Sequence, residues 1–228
     1  MSVQFKKSPL LQAVCEFRFE EEQWKGEAVG QFFEKWRDRL PTLLMPDFGQ
    51  DAIRFFSKDS TRCVAMYPSY LSVSLSAPYT HWNDFKGFIE AVLSDYHQLA
   101  PIESFSRVGL RYLNAIKVTP PQPFEDYVAL APRNPEGMEP SEHRKFGFVM
   151  EQAVMVYFDL NGELHFRQGS RGNPEEGILL NLDFATYDAS LVNFSNVMAW
   201  LQVAHDEIET VFLANITPRA REMFEEEL

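Results

Sequence analysis

Two stretches of this chain repeat one pattern: an alternating strand that runs through a polar turn into an amphipathic helix opening at a phenylalanine. The first reads Leu71-Ser-Val-Ser-Leu-Ser-Ala-Pro78 and then places apolar residues at Phe85, Phe88, Ile89, Val92, Tyr96 and Leu99. The second reads Ile178-Leu-Leu-Asn-Leu-Asp-Phe184 and then places them at Phe194, Val197, Met198, Leu201, Ile208, Val211 and Phe212. Strand periodicity giving way to helix periodicity, twice, points to a duplicated strand-rich unit closed by a long helix.

The intervening segments fill in both units. Ala13, Cys15, Phe17 and Phe19 alternate with Val14, Glu16 and Arg18, which predicts a first strand. Ala28, Val29, Phe32, Phe33, Trp36 and Leu40 keep helical spacing, and Pro41 ends that element. Ile53–Ser57, Arg62–Tyr67 and Leu71–Leu75 read as an antiparallel meander ahead of a helix over 83–99.

The second unit opens with a long strand, Ser106–Ile116, followed by an excursion over 119–145 with at most a short helix near 124–130. Six of the fourteen prolines fall in that excursion, which is why an extended path is expected. Strands over 149–159 and 163–167 flank Leu160-Asn161-Gly162, a strong hairpin turn. A strand over 178–184 and a helix over 193–215 complete the order.

The expected class is therefore α+β. Duplicated strand-helix-three-strand-helix units, 1–100 and 101–228, form one antiparallel sheet with helices on one face, within one compact domain. With 20 phenylalanines and 45% hydrophobic residues, the chain can fill such a core. The layout resembles that of the TATA-binding-protein type, and layout does not fix function. It does predict where a site lies, on the sheet face that the helices leave clear.

Alternation in the central strand puts Arg107, Gly109, Arg111 and Leu113 on one face and Val108, Leu110, Tyr112 and Asn114 on the other. Arg107 and Arg111 stand four residues apart on one strand, about 13 Å at the backbone, and their long side chains on one side are expected to lean together to hold a carboxylate or phosphate. With the first strand alongside, Glu16 and Arg18 share that surface, and Asp183 joins from a neighbouring strand. The other reading of the same residues is a cross-strand ladder of ion pairs. Glu16, Arg18, Arg107, Arg111, Asn114 and Asp183 are the candidate ligand- or partner-binding residues.

Two motifs bear a family likeness. Pro9-Leu-x-x-Ala13-x-x-Glu16-x-Arg18-Phe19 and Arg107-x-Gly109-Leu-Arg111-Tyr-x-Asn114 resemble the signature of a sporadically distributed bacterial family of about this length, without an established activity. The resemblance implies a bacterial origin and transfers no catalytic residue. The patchy distribution suggests an accessory, antitoxin or immunity component of a defence locus.

Other chemistry finds little support. A net charge of −12 repels a phosphate backbone, so nucleic-acid binding is not expected unless Arg107, Arg111, Lys117, Arg167 and Arg171 gather into a local patch. The five histidines form no metal-binding pair or motif, and neither a metal nor a cofactor is expected. His205 and Glu209, one helical turn apart, are expected as an exposed surface pair. Gly169-Ser-Arg-Gly172-Asn-Pro-Glu-Glu-Gly177 joins two strands and leads into no helix, so it lacks what a phosphate loop exploits. Asp47, Asp51, Asp159 and Asp183 stay without an assigned acid-base role.

Cys15 and Cys63 lie in apolar strand runs, where buried, reduced thiols are expected, and Glu225-Glu-Glu-Leu228 reads as a solvated tail. The start, Met1-Ser-Val-Gln-Phe-Lys-Lys, has no signal-peptide core, and no apolar run reaches membrane-spanning length, so a cytoplasmic protein is expected. A binding protein is expected over an enzyme, its partner another protein or a second copy of itself. The alternative is an enzyme or sensor holding an anionic small molecule or nucleotide through Arg107 and Arg111.

Overall fold

In the computed structural model, residues 4–19, 26–45, 52–78, 81–118, 124–129, 148–171 and 177–227 are described, and they form an α+β fold around one large antiparallel sheet. The elements before residue 100 are β1 (Gln4–Phe5), β2 (Leu10–Arg18), α1 (Gly26–Trp36), β3 (Thr42–Leu44), β4 (Ile53–Phe56), β5 (Arg62–Met66), β6 (Tyr70–Ser76) and α2 (Trp82–Leu99). After it come β7 (Arg107–Ile116), β8 (Phe148–Tyr157), β9 (Gly162–Arg171), β10 (Ile178–Thr186), α3 (Val197–Asn215), α4 (Pro218–Met223) and β11 (Glu226–Glu227). Nine strands pair in the order β3-β4-β5-β6-β2-β7-β10-β9-β8, and β1 pairs with β11 in a separate two-stranded ribbon.

Strand alternation decides which face is buried. Ala13, Cys15 and Phe17 of β2, Val73 of β6, Leu110 of β7, and Leu180, Leu182 and Phe184 of β10 are each at most 1% exposed. Removing each large apolar side chain from water stabilises the fold by about 1.5–3 kcal/mol before entropy is counted. All three long helices cover this face. Phe32 of α1 packs on Phe55 with ring centroids 5.3 Å apart, Tyr96 of α2 on Phe19 at 5.6 Å, and Trp200 of α3 on Phe184 at 5.7 Å. Phe55, Val64, Val73, Cys15, Leu110 and Phe184 follow one another in register across six strands, so these contacts share a side.

The helices are placed by local chemistry. In α2, residues Phe85, Phe88, Ile89, Val92, Leu93 and Tyr96 make one buried stripe, and Pro101 stops the helix just after Ala100 has donated to the Tyr96 carbonyl. Lys35 and the Trp36 indole of α1 both donate to Asp95, at 2.7 and 3.0 Å, which locks α1 onto α2. α3 starts at Val197, later than the 193 expected, because the Asn193 and Asn196 side chains fold Asn193–Asn196 into turns. The Asn193 carboxamide oxygen accepts from the Ser195 N–H, and that of Asn196 from the Asn193 N–H.

Several features depart from the sequence reading. β3 is a three-residue strand that alternation could not reveal. α4 was not expected from the sequence; Thr217 caps it, with Pro218 in its first turn. The C-terminal acidic run is not simply a solvated tail. Glu226–Glu227 pair with Gln4–Phe5, and Lys7 forms an ion pair with Glu225, whose carboxyl is held below its usual range by that lysine. The hairpin loop runs from Phe158 to Asn161, with Asn161 in the left-handed region at φ 49° and Gly162 opening β9. Of the 119–145 excursion, only residues 124–129 are described, as a 3-10 turn over Phe124–Asp126 and a bridge from Val128 to Ile216. Asp47, Asp51 and the middle of the glycine-rich loop lie outside the described residues.

Candidate functional site

The helix-free face is polar at its centre, where β2, β7 and β10 lie side by side. Register sets Glu16 beside Gly109 and Arg18 beside Arg107 across the β2–β7 pair, and Asp183 beside Arg111 across β7–β10. Facing partners share a side, so Glu16, Arg18, Arg107, Arg111 and Asp183 all stand on the face opposite the helices. Asn114 does not join them. It is 5% exposed on the helix-covered face, between Leu10 and Leu180 in register.

Arg107 ties three strands together. Its Nη1 donates to Glu16 Oε1 at 3.2 Å, while Nη2 donates to Asp183 Oδ1 and Oδ2 at 3.3 and 3.2 Å. Arg18 Nε donates to the same Glu16 oxygen at 2.7 Å. These side chains are only partly open to water, with Glu16, Arg107 and Asp183 at 22, 27 and 29% exposure, so their attraction is screened less than that of a surface pair.

Glycine at 109 makes this reach possible. A β-carbon there would lie 2.6 Å from Arg107 Nη1, so the guanidinium occupies the space that any other side chain would take. Arg107 thereby folds along its own strand and meets Asp183 on the diagonal. Arg111, which faces Asp183 in register, instead donates Nε to Asn181 Oδ1 at 2.8 Å. The two arginines expected to act as one clamp are thus divided. Arg107 is bracketed by carboxylates, and Arg111 is oriented by a neutral amide and exposed.

The flanks differ in character. On β9, His165 lies 3.0 Å from Glu163 Oε1, and register sets His165 beside Asp183. Near Arg18, the Tyr67 and Tyr70 rings stack at 3.8 Å, and the Arg18 guanidinium sits 5.9 Å from the Tyr70 ring centre. Desolvation, then the hydrogen bond with Tyr67 and its charge, push the Tyr70 phenol well up from its ordinary value. Beyond β2 the face carries small side chains: Ser72, Ser74 and Ser76 on β6 and Cys63 and Ala65 on β5. The sequence places Gly109 on the arginine face without giving it a role, and Asn181 and the tyrosine pair are additions from the structure. The alternation Leu180-Asn181-Leu182-Asp183 is the signal that could have found Asn181.

Other expected groups lie elsewhere. His205 is 6% exposed, its ring stacked on Trp82 at 4.4 Å and its Nδ1 3.0 Å from the Tyr112 hydroxyl, so it is not an exposed surface pair with Glu209. Cys15 faces the core, whereas Cys63 is half-buried on the helix-free face, and both are free thiols. Among the described residues, no three His, Cys, Asp or Glu side chains gather as a metal would require, and no helix is long and apolar enough to cross a membrane.

No model of a known protein family matches the chain, and no curated protein matches it significantly.

Proposed function

We propose that this chain is a non-enzymatic binding protein that docks a protein partner on its helix-free sheet face, with Glu16, Arg18, Arg107, Arg111 and Asp183 as the contact surface. One observation carries the reading. Charged groups from three adjacent strands are fixed in place by one another through Arg107, on the sheet face that no helix among the described residues covers. A surface whose charges are already positioned offers a partner specificity without the cost of ordering long side chains on contact.

The strand order supports a duplicated layout. With β1 and the short β3 set aside, β2-β6-β5-β4 and β7-β10-β9-β8 each read outward from the middle as first, fourth, third and second of four strands, and in each unit a long helix, α2 or α3, follows the fourth strand on the same face. On this likeness of strand order we propose a TATA-binding-protein type of layout, as architecture only. Arg107 is neutralised by two carboxylates on a chain of net charge −12, which weighs against a nucleic-acid partner. Through its motif likeness to the sporadically distributed bacterial family, the partner is proposed to belong to a defence locus, in the cytoplasm.

A second reading has one observation in its favour. Asn181 holds the Nε edge of Arg111, which leaves the outward guanidinium edge to receive a carboxylate or phosphate. A small anion would then bind through Arg111 rather than through both arginines.

Co-purification from the native host with wild type and with Arg111→Glu distinguishes these readings. A stoichiometric protein partner retained by wild type and lost by the variant supports docking. If no partner co-purifies and a nucleotide or dicarboxylate raises the melting temperature of wild type alone, the small-anion reading replaces it. A ligand at a hundred times its Kd adds about 2.7 kcal/mol of stability.

A further inference from the structure

The two edges of the nine-stranded sheet are unlike. β3 ends one side with three residues, whereas β8 ends the other with ten and pairs only with β9 among the described residues. An edge strand presents a row of unpaired backbone N–H and C=O groups, and folded proteins blunt such edges with lysine, proline, bulges or shortness. Gln152-Ala-Val-Met-Val-Tyr-Phe158 has none of these devices. It carries no charge and no proline, and its pairing with β9 runs without a register shift.

Exposed apolar side chains concentrate at the same place. Val154 and Val156 project from the helix-free face at 48 and 42% exposure. Phe158, 75% exposed at the end of the strand, meets Tyr187, 54% exposed, edge-on at 5.2 Å. A contiguous apolar strip on an edge left unpaired among the described residues marks an interaction surface rather than scattered surface carbon.

We propose that β8 pairs antiparallel with β8 of a second copy of this chain across a twofold axis, joining two sheets into one. Backbone groups in a row demand another strand, and the uncharged side chains demand an uncharged one. Within the described chain, β8 itself meets both conditions. With Val154 facing its own copy, Ala153 faces the partner's Met155 and Gln152 faces the partner's Val156, so no like charges meet over the centre of the strand. Pairing β3 with β8 would leave most of β8 unfilled and generate an open filament, whereas β8 with β8 closes after two copies. On a chain of net charge −12, this neutral row is where two copies approach at least electrostatic cost, and the remaining repulsion makes the dimer tighten as salt rises. The surface is separate from the polar centre, so this inference does not rest on the partner-docking reading.

Sedimentation equilibrium of the full chain tests it. The expected mass is twice 26.4 kDa, with dissociation on dilution and a tighter dimer at high salt. Val154→Lys/Val156→Lys, with an unchanged far-ultraviolet circular dichroism spectrum, is expected to weaken the dimer at least tenfold. Hydrogen exchange of wild type gives a readout independent of any variant: amides over 152–157 gain protection as dimer forms. A single-copy mass at every concentration, or a dimer whose formation leaves those amides unprotected, overturns the proposal. So does a dimer indifferent to the double lysine variant, and a strand supplied by a different protein would show as a mixed complex with wild type otherwise monomeric.

Discussion

The guanidinium of Arg107 lies where the side chain of residue 109 would begin, 2.6 Å from the site of a β-carbon that Gly109 lacks. This one relationship converts two arginines on a strand into two different objects. Arg107 becomes a bridge between Glu16 and Asp183, and Arg111 is left as the exposed cation beside it. The bridge is structural in its bonds, and the surface it holds in place is the proposed docking site.

Gly109→Ala is therefore expected to move a side chain rather than unfold the protein. The atom displaced is the far end of a flexible arginine, and alanine removes backbone freedom from the unfolded chain, so the two effects on stability oppose each other and the net change stays within about 1 kcal/mol. The coupling between positions 107 and 183 is what should change. In wild type, Asp183→Asn and Arg107→Met are expected to be non-additive, and in the Gly109→Ala background that coupling should largely vanish. Chemical denaturation of the two mutant cycles measures it, and equal coupling in both backgrounds would falsify the role given to glycine.

Arg107→Met alone removes the cation between two carboxylates that are each less than one-third exposed. The expected cost is about 1–2 kcal/mol, above that of an exposed pair and below that of a fully buried one. Adding Asp183→Asn should recover part of the loss, because the repulsion between the stranded carboxylates falls. If Arg107→Met leaves the denaturation midpoint unchanged, the cluster contributes nothing to the fold and its role is confined to binding.

Much of this surface was legible in the sequence, for a simple reason. Alternation is a rule about sides: Glu16, Arg18, Arg111 and Asp183 each sit between apolar neighbours that identify the core face, and Arg107 follows from Arg111 by the same alternation. Which charges touch was not legible. That depended on the strand neighbours β2 and β10 and on a space beside Gly109, neither of which period or composition encodes. His205 shows the complementary limit: a polar residue inside an apolar pattern can belong to the core when another element supplies its partner. For His205 that partner is Tyr112, 93 residues earlier in the chain.

Burial of His205 predicts a pH dependence. Desolvation between α2, α3 and β7 lowers its pKa from the ordinary 6.5, with Lys86 acting in the same direction and Glu209 and Asp206 opposing it. The folded chain thus resists a proton that the unfolded chain accepts. This contribution to stability is fully present above about pH 6.5 and is lost as pH falls from there toward the lowered folded value. The denaturation midpoint is expected to drop between pH 7 and pH 5, and His205→Leu should make that slope shallower. A slope unaltered by His205→Leu would assign the acid sensitivity to the carboxylates instead.

The two thiols are expected to separate by face. Cys15 is fully buried beneath the helices, and burial raises its pKa well above the ordinary value, while Cys63 lies half-buried on the open face with its thiol pushed up to about 11. For Cys63, desolvation outweighs the lowering effects of its hydrogen bond with Ser74 and of the nearby Arg54 charge. Thiolate is the reactive form, so at neutral pH native Cys63 should react with a disulfide reagent far more slowly than a free thiol, accelerating as pH rises toward 11. Cys15 should react only at the rate of unfolding, whatever the pH in that range. A time course with Cys63→Ser isolates Cys15 and with Cys15→Ala isolates Cys63. Rapid labelling of Cys63 at neutral pH would mean that its strand opens locally, which would also undermine β5 and β6 as a rigid flank of the docking surface.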